Sequence, residues 1–105
     1  MKIKFKQWEC NVFPTYYSTG SKIKRKAIVL KDDEGVVTTA TVNMPGYPCD
    51  DDQIYVKNYS ENEGMLQALI DHELVLVEPV NELKAGFVTI PLMTLTTKAM
   101  KLWQD

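Results

Sequence analysis

The chain of 105 residues holds only two cysteines, Cys10 and Cys49, and a single histidine, His72. That scarcity removes several chemistries at once. Neither a C-x-x-C pair nor a Cys/His cluster of zinc-ligand spacing is present, so both cysteines read as small packing residues kept as thiols in a reducing compartment. His72 lies between Asp71 and Glu73 with no nucleophile at a spacing that would build a triad. It reads as a histidine capping a helix C-terminus, its positive form favoured by the helix dipole. The chain has no P-loop, no G-x-G-x-x-G and no G-x-S-x-G. No enzyme is expected from this pattern, and no cofactor or metal. Long apolar runs are missing too: none approaches the roughly 20 residues of a membrane helix. The start, MKIKFKQWEC, alternates lysines with large side chains where a secretion signal would be continuously apolar. A soluble intracellular protein is the expectation.

What is present is a globular composition, 45% apolar and 25% charged, too hydrophobic for a disordered chain and without an internal repeat. The length suits one domain over residues 1–105. Net charge is only −2 but unevenly spread. Up to residue 26 there are seven basic residues against Glu9, a balance of +6; the remainder has five basic and thirteen acidic residues, a balance of −8. Such a division marks either basic and acidic faces that steer a charged partner or solubilising charge on exposed strands.

The local pattern predicts an α+β fold. Lys2-Ile3-Lys4-Phe5-Lys6 alternates as a half-buried strand does, with Ile3 and Phe5 inward. Trp8, Cys10 and Val12 fall on the opposite parity, so the strand either bulges near Lys6-Gln7 or ends there and a second begins, closed by Pro14. Residues 15–21 read as an aromatic loop. Residues 22–31 and 36–43 flank the turn signal Asp32-Asp33-Glu34-Gly35 and form a β-hairpin, its threonine-rich face toward solvent and its basic start far from the acidic turn.

Residues 44–53, MPGYPCDDDQ, form an exposed loop, and residues 54–57 a short strand. Ser60 and Glu63 fit a capping box, so a helix spans about 61–72 with Met65, Leu66, Leu69 and Ile70 as its apolar stripe. Residues 74–77 read as a strand covered on both faces and stopped by Pro79, and residues 80–84 as a turn. A last strand, 86–95, is placed at an edge or a bulge by Pro91. Met100 and Trp103 either share a face of a terminal helix turn capped by Thr96 or Thr97, or belong to a strand or tail. The sum is a twisted antiparallel sheet of about five to seven strands with one main helix packed on it.

Two clusters carry the candidate chemistry. Asp50, Asp51 and Asp52 invite a cation, but consecutive loop residues rarely converge on one ion and no EF-hand spacing follows. They read better as a solvated turn or as a negative patch for a basic partner. Lys22, Lys24, Arg25 and Lys26, with Tyr16 and Tyr17 just before them, resemble a nucleic-acid surface of cations and stacking rings. The pI near 5.4 counts against that, since phosphate neutralisation supplies most of the affinity of such binders. The tyrosines, Tyr47, Tyr55 and Tyr59 included, equally suit a protein interface.

The run from residue 40 to 74, with ATVNMPGYP and then VKNYSENEGMLQALIDHEL, resembles a family of small uncharacterised proteins carried on plasmids, integrative elements and phages of Gram-positive bacteria. NYSENEGML is the distinctive part, and its role in the resemblance is structural: strand end, cap and helix. In length and organisation the chain is similar to mobile-element inhibitors of the type II CRISPR effector nuclease. The resemblance implies a cytoplasmic, non-enzymatic anti-CRISPR that binds the host nuclease or its guide complex. No inhibitory residue carries across. Two further expectations stand beside it: an accessory nucleic-acid-binding protein of plasmid maintenance or transfer, and an oligomeric module in which an edge strand such as 86–95 pairs with its copy.

Overall fold

The alternation at the start of the chain becomes strand β1, Lys2–Phe5, with Ile3 and Phe5 buried and the lysines exposed, in a computed structural model that describes residues 1–17 and 24–104. The chain then reverses at Lys6-Gln7, where Lys6 takes a φ of 54°, and pairs Phe5 with Trp8. The change of parity is therefore a hairpin turn between two strands. Strand β2, Trp8–Tyr17, runs straight through Pro14, so Thr15, Tyr16 and Tyr17 are strand residues, contrary to the expected loop, whose residues 18–21 lie outside the described residues. The reason lies in the ladder. Pro14 stands opposite Ile28, whose carbonyl accepts from the Ala40 N–H and whose N–H donates to Thr41 Oγ1. Ile28 thus faces away from β2, and Pro14 faces the other side, where β1 has already ended, so no amide proton is needed there.

Strands β3, Arg25–Asp32, and β4, Gly35–Thr39, form the expected hairpin. Asp32 Oδ1 accepts from the Glu34 N–H at 2.9 Å, an Asx turn that closes it. The threonines do not face solvent as expected. Thr41 is buried, and Thr38 Oγ1 donates to Oδ1 of the buried Asn62 while Asn62 Nδ2 donates to the Thr39 carbonyl at 2.7 Å.

These four strands make one antiparallel sheet in sequence order; β5, Gln53–Tyr55, β6, Asn81–Ala85, and β7, Val88–Thr94, make a second in the order β5-β7-β6. The fold is α+β, with antiparallel sheets of four and three strands and two short helices among the described residues, α1 at Met65–Asp71 and α2 at Thr97–Met100. The sheets meet at the Thr41–Val56 bridge, where Lys57 N–H donates to the Ala40 carbonyl and Val42 N–H to that of Tyr55.

The capping box does not form. Ser60 takes a φ of 58° inside a 3-10 turn, Ser60–Asn62, and α1 starts after Gly64, whose φ is 93°. Asn58 Oδ1, from outside the helix, accepts the Leu66 N–H at 2.8 Å. The apolar stripe is as expected, with Met65 and Leu69 fully buried. Residues 74–77 are not a covered strand: Val75 makes one bridge to Leu95, and Leu76 and Val77 are exposed. The expected turn at 80–84 is mostly strand β6, and β7 is the central strand of its sheet, not an edge. Pro91 faces the β5 side at the end of that ladder: its carbonyl accepts from the Val56 N–H, and regular pairing stops at Tyr55–Leu92, where the proline has no N–H to return. At the C-terminus the helical alternative holds, with Thr96 Oγ1 accepting the Ala99 N–H at 3.1 Å.

One core joins Ile3, Phe5, Ile28 and Leu30 of the first sheet to Ile54, Val56 and Met93 of the second, with Met65, Leu69 and Ala99 from the helices. Each fully buried large side chain there contributes about 1.5–3 kcal/mol. Cys10 is part of this core and Cys49 is half-buried beside a second, smaller one, so both pack as expected. His72 does cap α1, and its Nε2 accepts the Lys4 N–H at 3.1 Å. Among the described residues no helix is long and apolar enough to cross a membrane.

Candidate functional site

Residues 44–52 have no regular partner, so their polar backbone groups must be satisfied some other way. Met44-Pro45-Gly46-Tyr47 is a turn of type II character, with Gly46 at a φ of 89° and the Tyr47 N–H on the Met44 carbonyl at 3.2 Å. The remaining carbonyls draw on side chains from β3 and β5. Arg25 Nη1 donates to the Met44 carbonyl at 2.7 Å and Nη2 to that of Tyr47. Lys26 Nζ donates to the Asp51 carbonyl at 2.8 Å and to its carboxylate at 2.9 Å. The Tyr55 hydroxyl donates to the Pro48 carbonyl at 2.5 Å, and Gln53 Oε1 accepts the Asp50 N–H at 2.8 Å.

The two charge clusters, 25 residues apart along the chain at Lys26 and Asp51, are therefore one site. Lys26 is only 7% exposed, and its ammonium lies 5.7 Å from the Trp103 ring and 6.0 Å from that of Tyr16. Two rings and a carboxylate compensate a charge that burial would otherwise make costly. Trp103 is itself held by its Nε1–H on the Thr15 carbonyl at 2.9 Å. Lys24 is exposed, 5.9 Å over the other candidate ring, Tyr16. Tyr17 turns elsewhere, its hydroxyl 2.7 Å from Thr41 Oγ1. Lys22 lies outside the described residues.

The outward side of this end carries Tyr47, which is 46% exposed, with Asp50 and Asp52. Among the described residues the ion pairs are Lys26–Asp51 and Lys57–Glu61, so no described cation pairs with the carboxylates of Asp50 and Asp52. Among the described residues the aspartates do not converge with other ligating side chains. The arrangement is a shaped, acidic and aromatic projection. Two of its supports were hidden in the sequence: Trp103 is remote along the chain, and Gln53 acts locally through a side-chain amide; Arg25 was among the candidates, but its work on backbone carbonyls is something no residue type reveals.

Burial pushes the Cys49 thiol and the Tyr55 and Tyr17 hydroxyls above their ordinary values. The proton is then held more tightly in the folded chain, so the stabilisation is complete below the unfolded values, 9.0 for cysteine and 10.0 for tyrosine. It is lost as pH rises through the higher folded values, because the unfolded chain releases its protons first. The melting temperature should stay level from about pH 7 to 8.5 and fall by about pH 11, with a shallower fall in Tyr55→Phe. A melting temperature as high at pH 11 as at neutral pH would contradict the burial of these groups.

No protein-family model, curated protein or solved structure matches this chain.

Proposed function

We propose that the protein is a non-enzymatic inhibitor of mobile-element origin that binds, in the bacterial cytoplasm, to the type II CRISPR effector nuclease or its guide complex. The contact is the loop of residues 44–52. Tyr47 anchors it, and Asp50 and Asp52 meet a basic surface that otherwise receives nucleic acid, as phosphates would. One observation carries this reading over the opposite one, in which the basic residues meet guide RNA. Arg25 and Lys26 are committed inward to the loop's own carbonyls and to Asp51, which leaves Lys24 as the exposed cation among the described members of that cluster. The same commitment fixes the loop before it binds, and a contact surface ordered in advance loses less entropy on association.

Binding to the purified nuclease loaded with guide RNA, followed by interferometry, tests the surface. Asp50→Lys combined with Asp52→Lys should weaken the complex about tenfold or more, which corresponds to about 1.4 kcal/mol across two charged contacts. Lys24→Glu should leave affinity within about threefold. The reverse order of effects, or steeply salt-dependent binding to free DNA or RNA, would favour a nucleic-acid-binding protein and sink the proposal.

A further inference from the structure

Sheet edges invite unwanted pairing unless something covers them, and the other edges here are each met at one or more backbone groups. The Lys4 N–H of β1 is taken by His72, the Thr39 carbonyl of β4 by Asn62, and β5 continues into hydrogen bonds with residues 40–42. Strand β6 is different. Among the described residues its sheet neighbour is β7 alone, and both faces of Asn81–Ala85 are largely exposed. Leu92 of β7 accepts from the Val80 N–H, so by alternation Ile90 and its partner Leu83 face each other across the ladder, while Glu82 and Lys84 point their backbone groups outward. The Glu82 N–H, accordingly, reaches only the side chain of Asn81, at 2.9 Å.

From this free edge we infer that the protein forms a two-fold symmetric dimer in which β6 pairs antiparallel with β6 of a second copy, centred on Leu83. The sequence of the strand is self-complementary in that register. Glu82 falls opposite Lys84 of the second copy, and Lys84 opposite its Glu82, so two opposite-charge pairs form and the outward backbone groups of all four residues meet as hydrogen-bonded pairs. The Asn81 side chain gives up the Glu82 N–H to a carbonyl. Extending the register brings the hairpin tip of one copy beside residues 79–80 of the other. That tip is Phe87, 109% exposed, and Val80 is 52% exposed, so the most exposed ring gains an apolar neighbour twice over. The expected pairing of an edge strand with its copy is thus reassigned from β7, which is central, to β6. The surface lies across β7 from β5 and the 44–52 loop, and the inference is independent of the proposed function.

Sedimentation equilibrium of the full chain tests it. Wild type should dimerise reversibly, without larger species, because a two-fold contact closes on itself. Lys84→Glu sets glutamate against glutamate in both pairs and should raise the dissociation constant about tenfold. The double exchange Glu82→Lys with Lys84→Glu restores opposite charges and should return it to within about threefold of wild type. A wild type monomeric up to roughly 1 mM, an open series of larger oligomers, or a double exchange no better than the single change would overturn the proposal. All of these side chains are exposed, so circular dichroism should show the same fold throughout.

Discussion

Asn62→Leu is expected to lower the stability of the fold by about 2–5 kcal/mol. The side chain of Asn62 is fully buried and joins two segments that share no strand ladder: Oδ1 receives the Thr38 hydroxyl and Nδ2 reaches the Thr39 carbonyl at 2.7 Å. Leucine fills a similar volume but offers neither partner. The Thr39 carbonyl and the Thr38 hydroxyl would both lose their partner, at about 1–3 kcal/mol for each group that stays dry. Against a total of about 5–15 kcal/mol for a domain of this size, that is a large fraction. Urea unfolding measures it. Thr38→Val, which removes one of the two bonds, should cost visibly less. Equal midpoints for Asn62→Leu and wild type would mean that the 3-10 turn is not fastened to β4 in this way.

Lys26→Ala should have the second largest effect and change the loop more than the sheet. The lysine stem is buried, and its ammonium makes a charge-assisted bond to Asp51 as well as a bond to its carbonyl. Losing the stem packing and these bonds costs about 2–4 kcal/mol. Hydrogen exchange should accelerate at the amides of Asp50 and Gln53, which bond within the loop's own end. Lys26→Met separates the contributions: it keeps the stem and should recover much of the stability, but not the loop protection. Asp51→Asn should do little by comparison, because the Asp51 side chain is 84% exposed and the backbone acceptor remains. If Lys26→Ala left exchange in the loop unchanged, the loop would be held by Arg25 and Tyr55 without help from Lys26.

Much of the fold was legible where one segment decides its own structure. Ile3 and Phe5 alternate with lysines because only one face of β1 is buried, the Asp32–Gly35 turn declares its hairpin, and the spacing of Met65 and Leu69 gives α1 its inward face. Prolines misled because their missing N–H matters only on the side that has a neighbour. Pro14 faces the side where β1 has ended, and Pro91 stands where regular β5 pairing stops, so neither interrupts a continuing ladder, which depends on strand lengths elsewhere. The Ser60-Glu63 signal failed because Ser60 is in the left-handed region and Gly64 delays the helix, leaving Asn58 to take the exposed amide.

Residues 74–77 look like a buried strand by composition, yet only Leu74 and Val75 find cover, since the chain there borders β7 at the margin of its sheet. The candidate site was legible as two clusters but not as one. Charge counts along the chain cannot show that Lys26 and Asp51 meet, nor that Trp103 closes over the lysine. That meeting is a product of the β2–β3 register and the path of the 44–52 loop, both long-range.

The most direct test of the acidic loop as an inhibitory surface is DNA cleavage by a purified type II effector nuclease with its guide RNA, titrated with the wild-type protein and with the Asp50→Lys, Asp52→Lys variant. Inhibition by the wild type, lost or weakened about tenfold in the variant, is the expected result. Full inhibition by the charge-reversed protein, or none by the wild type against several nuclease orthologues, would contradict it.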